Sequence, residues 1–98
     1  MIEFEWDPSK ARTSLRKHRV AFQEAATVLR DSLAITVLDP DHSQEEDRYI
    51  TIGVSGSGRL LMVAHTDRSD RTRIMSAREL TRAEREAYES EVKRRKGR

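Results

Sequence analysis

The segment from Arg48 to Arg78 constrains the fold most, because apolar and polar side chains alternate along it and two turn signals interrupt the alternation. A period of two residues indicates β-strands. Residues 49–54, 59–65 and 72–77 are therefore predicted to be strands, with Ser55–Gly58 and Thr66–Arg71 as the turns between them. Both connections are short, so the strands are predicted to form two consecutive antiparallel hairpins.

The predicted pairing brings together three side chains that suit an anion. Centring each hairpin on its turn places Arg48 opposite His65 and His65 opposite Arg73, so that the three share one rung of the sheet. Cross-strand neighbours lie about 5 Å apart, and two arginines beside a histidine repel one another unless an anion or a carboxylate lies between them. The rung is predicted to bind a phosphate. The alternative is that all three are solvated residues at strand ends.

A second basic position lies further along the last strand. Arg78 falls five residues beyond the rung, about 17 Å away at the usual strand rise, and on the other face. Two separated basic positions on one sheet favour a polyanion over a small ligand. The alternative for Arg78 is an ion pair with Glu79 or Glu84.

The length of 98 residues predicts a single domain, residues 1–92, followed by a flexible basic tail, residues 93–98. No apolar run has the length of a membrane helix, and acidic residues near the amino terminus argue against a signal peptide, so a cytoplasmic protein is expected. The chain contains no cysteine, and its three histidines lack the spacing of metal ligands. Neither a metal nor another cofactor is expected.

Charge is sorted along the chain. Residues 1–92 contain 14 basic and 17 acidic residues, a net charge of −3, while residues 93–98 add five positive charges. Residues 39–47 carry five acids and no lysine or arginine, whereas residues 59–85 carry seven arginines and four acids. This sorting suggests one region that meets an anion and another that meets a cationic partner.

The flanking segments predict helices and two further strands. Residues 1–6 alternate and predict a strand, and Asp7–Pro8 begins a helix over residues 9–17 whose basic face includes Lys10 and Lys17. A second helix over residues 20–31, a strand over residues 33–38 and a helix opened by the capping box Thr81–Glu84 complete the order. The predicted fold class is α+β, an antiparallel sheet with two amino-terminal helices packed on it and one carboxy-terminal helix.

Several motifs resemble one family across nearly the whole chain. They are Phe4–Lys10 (FEWDPSK), Lys17–His18, Val20–Ala25 (VAFQEA), Asp31, Asp47–Gly53 (DRYITIG), Leu61–Asp67, Arg73–Arg78 (RIMSAR), Thr81, Glu84 and Tyr88. This set is similar to the BrnT family of toxins. Three positions depart from the family pattern: Ser14 for asparagine, Leu29 for phenylalanine, and Arg19 for a glycine that would supply positive φ between the first two helices.

The resemblance implies a RelE-like fold and a ribonuclease toxin of a type II toxin–antitoxin pair. Such a toxin inhibits translation by cleaving RNA, and a ribbon-helix-helix antitoxin, BrnA-like, neutralises it and binds operator DNA with it. The expected reaction is metal-independent attack of an RNA 2′-hydroxyl on the adjacent phosphate, which needs proton transfer and cations.

Roles are predicted for thirteen residues. His65 is expected to transfer the proton, Arg48 and Arg73 to hold the phosphate, Arg78 to bind a neighbouring phosphate or base, and Tyr88 to stack or donate a proton. The alternative for His65 is a strand-end histidine bonded to backbone. Lys10, Lys17, Arg68 and Arg71 are expected to bind RNA, although the lysines also fit a solvated helix face. Asp41, Glu45, Glu46 and Asp47 are expected to bind the antitoxin.

A non-catalytic module that binds nucleic acid or protein is the alternative function. RNA-binding sheets often display aromatic side chains for base stacking, and Tyr49 is the available candidate on these strands.

Overall fold

The computed structural model describes residues 3–39, 41 and 47–96, and their elements follow the predicted order. The strands are β1 (Glu3–Trp6), β2 (Ile35–Leu38), β3 (Arg48–Val54), β4 (Leu60–Arg68) and β5 (Arg71–Glu79). The helices are α1 (Pro8–His18), α2 (Phe22–Val28) and α3 (Arg82–Lys96). The predicted α+β class is confirmed.

The described strands form one sheet in the order β1-β5-β4-β3-β2. The pairs β2–β3, β3–β4 and β4–β5 are antiparallel, whereas β1 lies parallel to β5. The sheet is therefore mostly antiparallel, as expected, with one parallel pair at this edge. A long connection between paired strands permits parallel pairing, and β1 is separated from β5 by most of the chain.

The first helix begins as its sequence predicts. Asp7 is the N-cap and accepts a hydrogen bond from the Ser9 backbone N–H at 2.9 Å, and Pro8 occupies the first turn. The helix ends at His18, and its C-cap residue Arg19 adopts the left-handed conformation with φ 57° and donates its N–H to the Leu15 carbonyl. Arginine thus takes the positive φ that the family pattern assigns to glycine.

Helices cover both faces of the sheet. On the first, here called the α1/α2 face, Val20, Phe22 and Val28 pack with the strand residues Leu61, Val63 and Ile74. On the second, the α3 face, Leu80 and Tyr88 pack with Leu60, and Ile35, Ile52, Met62 and Val92 border the contact. Strand β4 is consequently covered on both sides, as its apolar composition requires.

The hairpins fix a register that differs from the predicted one. The β3–β4 loop has a turn in which Gly58, at φ 86°, donates its N–H to the Ser55 carbonyl, and Val54 pairs with Leu60. The β4–β5 loop consists of Ser69 and Asp70 alone, because the strands continue through Arg68 and Arg71.

In both hairpins the strands pair in a register that is shifted from the predicted one. His65 therefore lies opposite Tyr49 and Ile74, while Arg48 and Arg73 both lie opposite Thr66. Arg78 lies opposite Met62 rather than Leu60. The predicted rung of Arg48, His65 and Arg73 is wrong, because a slip of one residue moves a side chain to the other face of the sheet.

Helix α3 extends through Lys96 and so includes the first four residues of the predicted basic tail. None of the three helices in the described ranges combines the length and apolarity needed to cross a bilayer.

Candidate nucleic-acid interface

The two arginines of the predicted rung remain neighbours, with a threonine between them. Arg48, Thr66 and Arg73 lie directly opposite one another on β3, β4 and β5, so their side chains share the α3 face. We call these three residues the arginine row. The row lies toward the β4–β5 hairpin, away from Leu60, which packs with α3.

Thr66 is the buried centre of the arginine row. Its side chain is 4% exposed, and among the described residues its hydroxyl has no hydrogen-bond partner. A buried hydroxyl without a partner carries a desolvation cost of about 1–3 kcal/mol. An anion between the two arginines would provide the missing acceptor for this O–H.

A carboxylate extends the row at the parallel edge of the sheet. Glu5 lies beside Arg73 on β1 and accepts hydrogen bonds from Arg71 Nη1 and Arg73 Nη1, each at 3.2 Å. These two guanidinium groups, Arg71 first, hold the pKa of Glu5 below its ordinary value. Sequence reasoning missed Glu5 because the parallel pairing of β1 was not predicted. The alternation of Glu3 and Glu5 with Phe4 and Trp6 was the available signal.

His65 lies on the opposite face of the sheet from the arginine row. It is 4% exposed, its Nε2 is 2.7 Å from the Thr51 hydroxyl, and its Nδ1 is 3.0 Å from Asp67 Oδ1. The Tyr49 ring stacks on the imidazole with centroids 5.9 Å apart. The histidine is bonded to side chains rather than to backbone, and the sheet separates it from both arginines.

A cleft of about 750 Å³ opens above His65 on the α1/α2 face. Thr51, His65 and Thr72 are its buried residues. The other lining residues are Phe4, Leu29, Arg30, Asp31, Ala34, Thr36 and Asp67. Hydrogen bonds join the Thr36 and Thr51 hydroxyls at 2.7 Å, and the Thr72 hydroxyl donates to Asp67 at 3.3 Å.

Arg78 and Tyr88 take part in the contacts between α3 and the sheet and do not belong to the arginine row. Arg78 donates to both carboxylate oxygens of Glu84, at 2.8 and 3.0 Å, which is the alternative that the sequence left open. This pair, with the Thr81 N–H, lowers the pKa of Glu84 to about 2. Tyr88 is buried against Leu60 and Leu80, and burial, followed by the charge of Asp31, raises its pKa.

The remaining predicted residues lie at the surface. Arg68 and Arg71 face each other across the β4–β5 hairpin, and Lys10 and Lys17 are exposed on α1. Asp41 and Asp47 are also exposed. Glu45 and Glu46 lie outside the described residues. Within the described ranges, no group of three His, Asp or Glu side chains is arranged to hold a metal ion.

The comparisons agree on one family. The family model described as the ribonuclease toxin BrnT of a type II toxin–antitoxin system matches residues 6–84. The 1.1 Å crystal structure of the Brucella abortus ribonuclease toxin BrnT matches with a TM-score of 0.61 and 18% sequence identity, covering 84% of this chain and all of that one. At this identity the match concerns the fold. No curated protein sequence matches the chain significantly. Because the family model spans most of the chain, the protein belongs to the BrnT family of ribonuclease toxins of type II toxin–antitoxin systems.

Proposed function

We propose that this toxin is a metal-independent endoribonuclease that cleaves RNA at the arginine row and thereby inhibits translation in the cytoplasm. The observation that supports this most strongly is the row itself: two guanidinium groups flank a buried hydroxyl that lacks an acceptor, and a carboxylate lies alongside. Arginine binds phosphate with two parallel hydrogen bonds, so the row suits one phosphodiester.

The proposed reaction is attack of the 2′-hydroxyl on the adjacent phosphorus. Arg48 and Arg73 hold the non-bridging oxygens, and the Thr66 hydroxyl donates to one of them. Glu5 accepts the 2′-hydroxyl proton. The 2′-oxygen–phosphorus bond forms, the bond to the 5′-oxygen breaks, and water protonates the leaving 5′-oxygen, which leaves a 2′,3′-cyclic phosphate.

Glu5 becomes a better base when substrate binds. In the free protein its pKa is lowered because Arg71 and Arg73 donate to it. A phosphate that takes over these donors removes part of that stabilisation, so the pKa rises toward its ordinary value. The proposal therefore moves proton transfer from His65 to Glu5, because His65 is buried on the other face.

The other basic residues have supporting roles in this proposal. Arg68, Arg71, Lys10 and Lys17 attract RNA without reading its sequence. Arg78 and Tyr88 hold α3 in place rather than touching RNA, since Arg78 is paired with Glu84 and Tyr88 is buried.

Cleavage of RNA by purified toxin in excess chelator tests the proposal. Arg48→Gln, Arg73→Gln and Glu5→Gln should each slow cleavage about a hundredfold or more. Arg82→Gln is the matched control, because Arg82 is an almost fully exposed arginine on α3 whose salt bridge among the described residues is with exposed Glu86. Cleavage that requires added metal, or parent-like cleavage by Arg73→Gln, would contradict the proposal.

His65→Ala decides between the two candidates for proton transfer. If this variant loses cleavage and Glu5→Gln retains it, the role belongs to His65. Tight, salt-sensitive binding that leaves the RNA intact would instead support the non-catalytic module. The structure offers that module little stacking surface, because Tyr49 already stacks on His65.

We further propose that a BrnA-like ribbon-helix-helix antitoxin neutralises the toxin, and that the complex binds operator DNA. An inhibitor of this site must cover the arginine row, so acidic side chains of the antitoxin should bury Arg48 or Arg73. A guanidine-reactive dicarbonyl reagent should therefore modify these arginines more slowly in the complex than in the free toxin.

A further inference from the structure

The two edge strands of the sheet differ in how they are protected. β1 carries Glu3 and Glu5, and charged side chains discourage an exposed edge from pairing with other chains. The opposite edge is β2, which has the sequence ITVL, contains no charged residue or proline, and pairs with β3 without a bulge. No described element pairs with its outer side. An edge strand of this composition is suited to pairing with another strand.

Exposed apolar side chains collect at this edge. Among the described residues, Val37 and Leu38 on β2 are 52% and 50% exposed, and Leu33, two residues before the strand, is 45% exposed. Val37 shares the α3 face with Ile35, which packs beside α3, and Leu38 points to the other face. Both faces of the edge therefore offer apolar surface to a partner strand.

The backbone of β2 determines which polar groups the edge presents. Asp39 donates its N–H to the Arg48 carbonyl at 2.7 Å, so its backbone points toward β3. Successive residues bond to opposite sides of a strand, so Val37 also bonds toward β3. Thr36 and Leu38 consequently point their N–H and C=O groups outward. The edge presents two donors and two acceptors.

A second copy of the chain matches these groups in one antiparallel register. With a two-fold axis at Val37, Thr36 of each copy pairs with Leu38 of the other, and every outward N–H finds a carbonyl. An axis at Thr36 would pair Leu38 with Ala34, whose N–H is already bonded within the preceding turn. An axis at Leu38 would pair Thr36 with Pro40, which has no N–H. The register centred on Val37 therefore satisfies the edge best.

The charges at the two ends of β2 favour a second copy over a different partner. The basic end of α3, Lys93–Lys96, lies near the start of β2, because Val92 and Arg95 line a small cleft with residues 32–34. The acidic segment, residues 39–47, follows the end of β2. Antiparallel pairing places each of these charged regions beside the opposite charge of the other copy. A different partner would have to supply both charges itself.

One ion pair between the two copies follows from this register. With the axis at Val37, Asp41 of one copy comes opposite Leu33 of the other, beside Arg95. Asp41 is exposed, and Arg95 donates from Nε to Glu91 at 3.2 Å. Among the described contacts, the two Nη groups of Arg95 remain available for a second carboxylate.

We propose that the free toxin forms a homodimer through β2, in which two sheets join into one across a two-fold axis at Val37. The two valines face each other on the α3 face, and Asp41 pairs with Arg95 on both sides of the axis. The arginine row lies on β3, β4 and β5, so it stays uncovered in each copy. Asp47, which precedes β3, lies one strand in from the edge and stays outside the pairing.

Cysteine cross-linking of the full-length free toxin tests the position of the axis, because the chain contains no cysteine of its own. In Val37→Cys the two thiols would face each other at a non-hydrogen-bonded pair, with Cα atoms about 4.5 Å apart, which a disulfide can span. Mild oxidation should therefore yield a covalent dimer. Leu15→Cys on α1 is the matched control, because Leu15 is 54% exposed. It should cross-link at least about tenfold more slowly, since nothing holds its two thiols together.

Sedimentation equilibrium measures the association itself. A strand pair of this length is a small interface, so the parent should dimerise with a Kd in the micromolar range. Val37→Lys should weaken dimerisation about tenfold or more, because apolar contact is lost and like charges lie opposite each other. Leu15→Lys should leave it unchanged. Asp41→Lys and Arg95→Glu should each weaken it, and the double variant should restore it, because the ion pair is then reversed rather than removed.

Three results would overturn the proposal. The first is a toxin that stays monomeric up to about 500 μM, and the second is equal cross-linking of Val37→Cys and Leu15→Cys. The third is dimerisation that Val37→Lys does not weaken, which would place the interface elsewhere. If the toxin is monomeric and Val37→Lys weakens its binding to the cognate antitoxin, the edge belongs to an antitoxin strand instead of a second copy.

Discussion

Arg19 occupies a backbone conformation that arginine adopts at a cost. Its φ of 57° places Cβ near the carbonyl oxygen, a strain of roughly 1–2 kcal/mol that glycine avoids. Glycine gains more freedom in the unfolded chain, which offsets part of that benefit. Arg19→Gly should therefore raise the free energy of unfolding by about 0.5–1 kcal/mol in urea denaturation. The bond from Arg59 Nη2 to the Arg19 carbonyl, 2.9 Å, involves backbone and should persist.

Glycine at a neighbouring helical position provides the contrast. Arg16→Gly, inside α1, should lower stability by about 1 kcal/mol, because glycine is a poor helix former. A loss of stability in both variants would show that the Arg19 side chain has a stabilising contact greater than its backbone strain.

Glu24 should make stability depend on pH in the acidic range. Its carboxylate accepts bonds from Arg59, Ser55 and Ser57, and these bonds, Arg59 first, lower its pKa from 4.5 to about 2. A lowered pKa in the folded state stabilises the protein above pH 4.5, and this contribution is lost as the pH falls from about 4.5 through about 2. Glu24→Gln should cost about 2 kcal/mol at pH 7.

The cost of Glu24→Gln should shrink as the pH falls from about 4.5 to about 2, measured by urea unfolding at a series of pH values. Glu86→Gln is the control, since Glu86 is exposed and its described salt bridge is with the equally exposed Arg82. A cost that stays the same at every pH would contradict the assigned role of Glu24.

At the scale of elements, composition predicted the strands and loop geometry decided their register. Alternation in β3 and the apolar run of β4, with turn signals on either side, predicted strands in residues 48–78, because one face of β3 and both faces of β4 must be buried. Thr66 and Asp67 suggest a turn by composition, yet they pair within β4 and leave only Ser69 and Asp70 in the loop. The two resulting shifts keep Arg48 and Arg73 on one rung, but they replace His65 by Thr66 between them.

The parallel edge strand shows a different limit of sequence reasoning. β1 was predicted from its alternation, but its neighbour depends on contacts between residues far apart in the chain. Its pairing with β5 brings Glu5 beside Arg73, and no local pattern encodes that contact. The candidate site was therefore predictable in its arginines and not in its carboxylate.

The end of α2 and the turn that follows it approach β3 so closely that position 53 requires glycine. A Cβ there would lie 2.9 Å from Asp31 Oδ2, the oxygen that accepts the Val54 N–H. Gly53→Ala should cost about 1–3 kcal/mol, because Asp31 must move and its bond to Val54 weakens. Gly56→Ala is the matched control, since a Cβ at Gly56 makes only ordinary contacts with Thr27. Thermal unfolding of both variants would check this, and equal stability would refute it.

For the whole molecule, the sorted charge of the sequence becomes only partly sorted at the surface. Five of the seven arginines in residues 59–85 have described carboxylate partners: Arg59 pairs with Glu24, Arg71 and Arg73 with Glu5, Arg78 with Glu84, and Arg82 with Glu86. The excess of arginines in residues 59–85 therefore does not translate into seven available cations. The acidic segment 39–47 differs, because it contains no lysine or arginine. Of its described acids, Asp41 and Asp47 are exposed and Asp39 is buried.

We expect this acidic segment to steer the cognate antitoxin toward the toxin. Reversing Glu45, Glu46 and Asp47 to lysine should slow association at low salt and weaken its dependence on salt, because opposite charges accelerate encounter. RNA cleavage by the free toxin should change little, since none of these residues belongs to the arginine row. Reversing Glu86, Glu89 and Glu91 on α3 alters the net charge equally and so separates local steering from a general charge effect. If both triple variants slow stopped-flow association to the same extent, or neither does, the acidic segment is not where the antitoxin first meets the toxin.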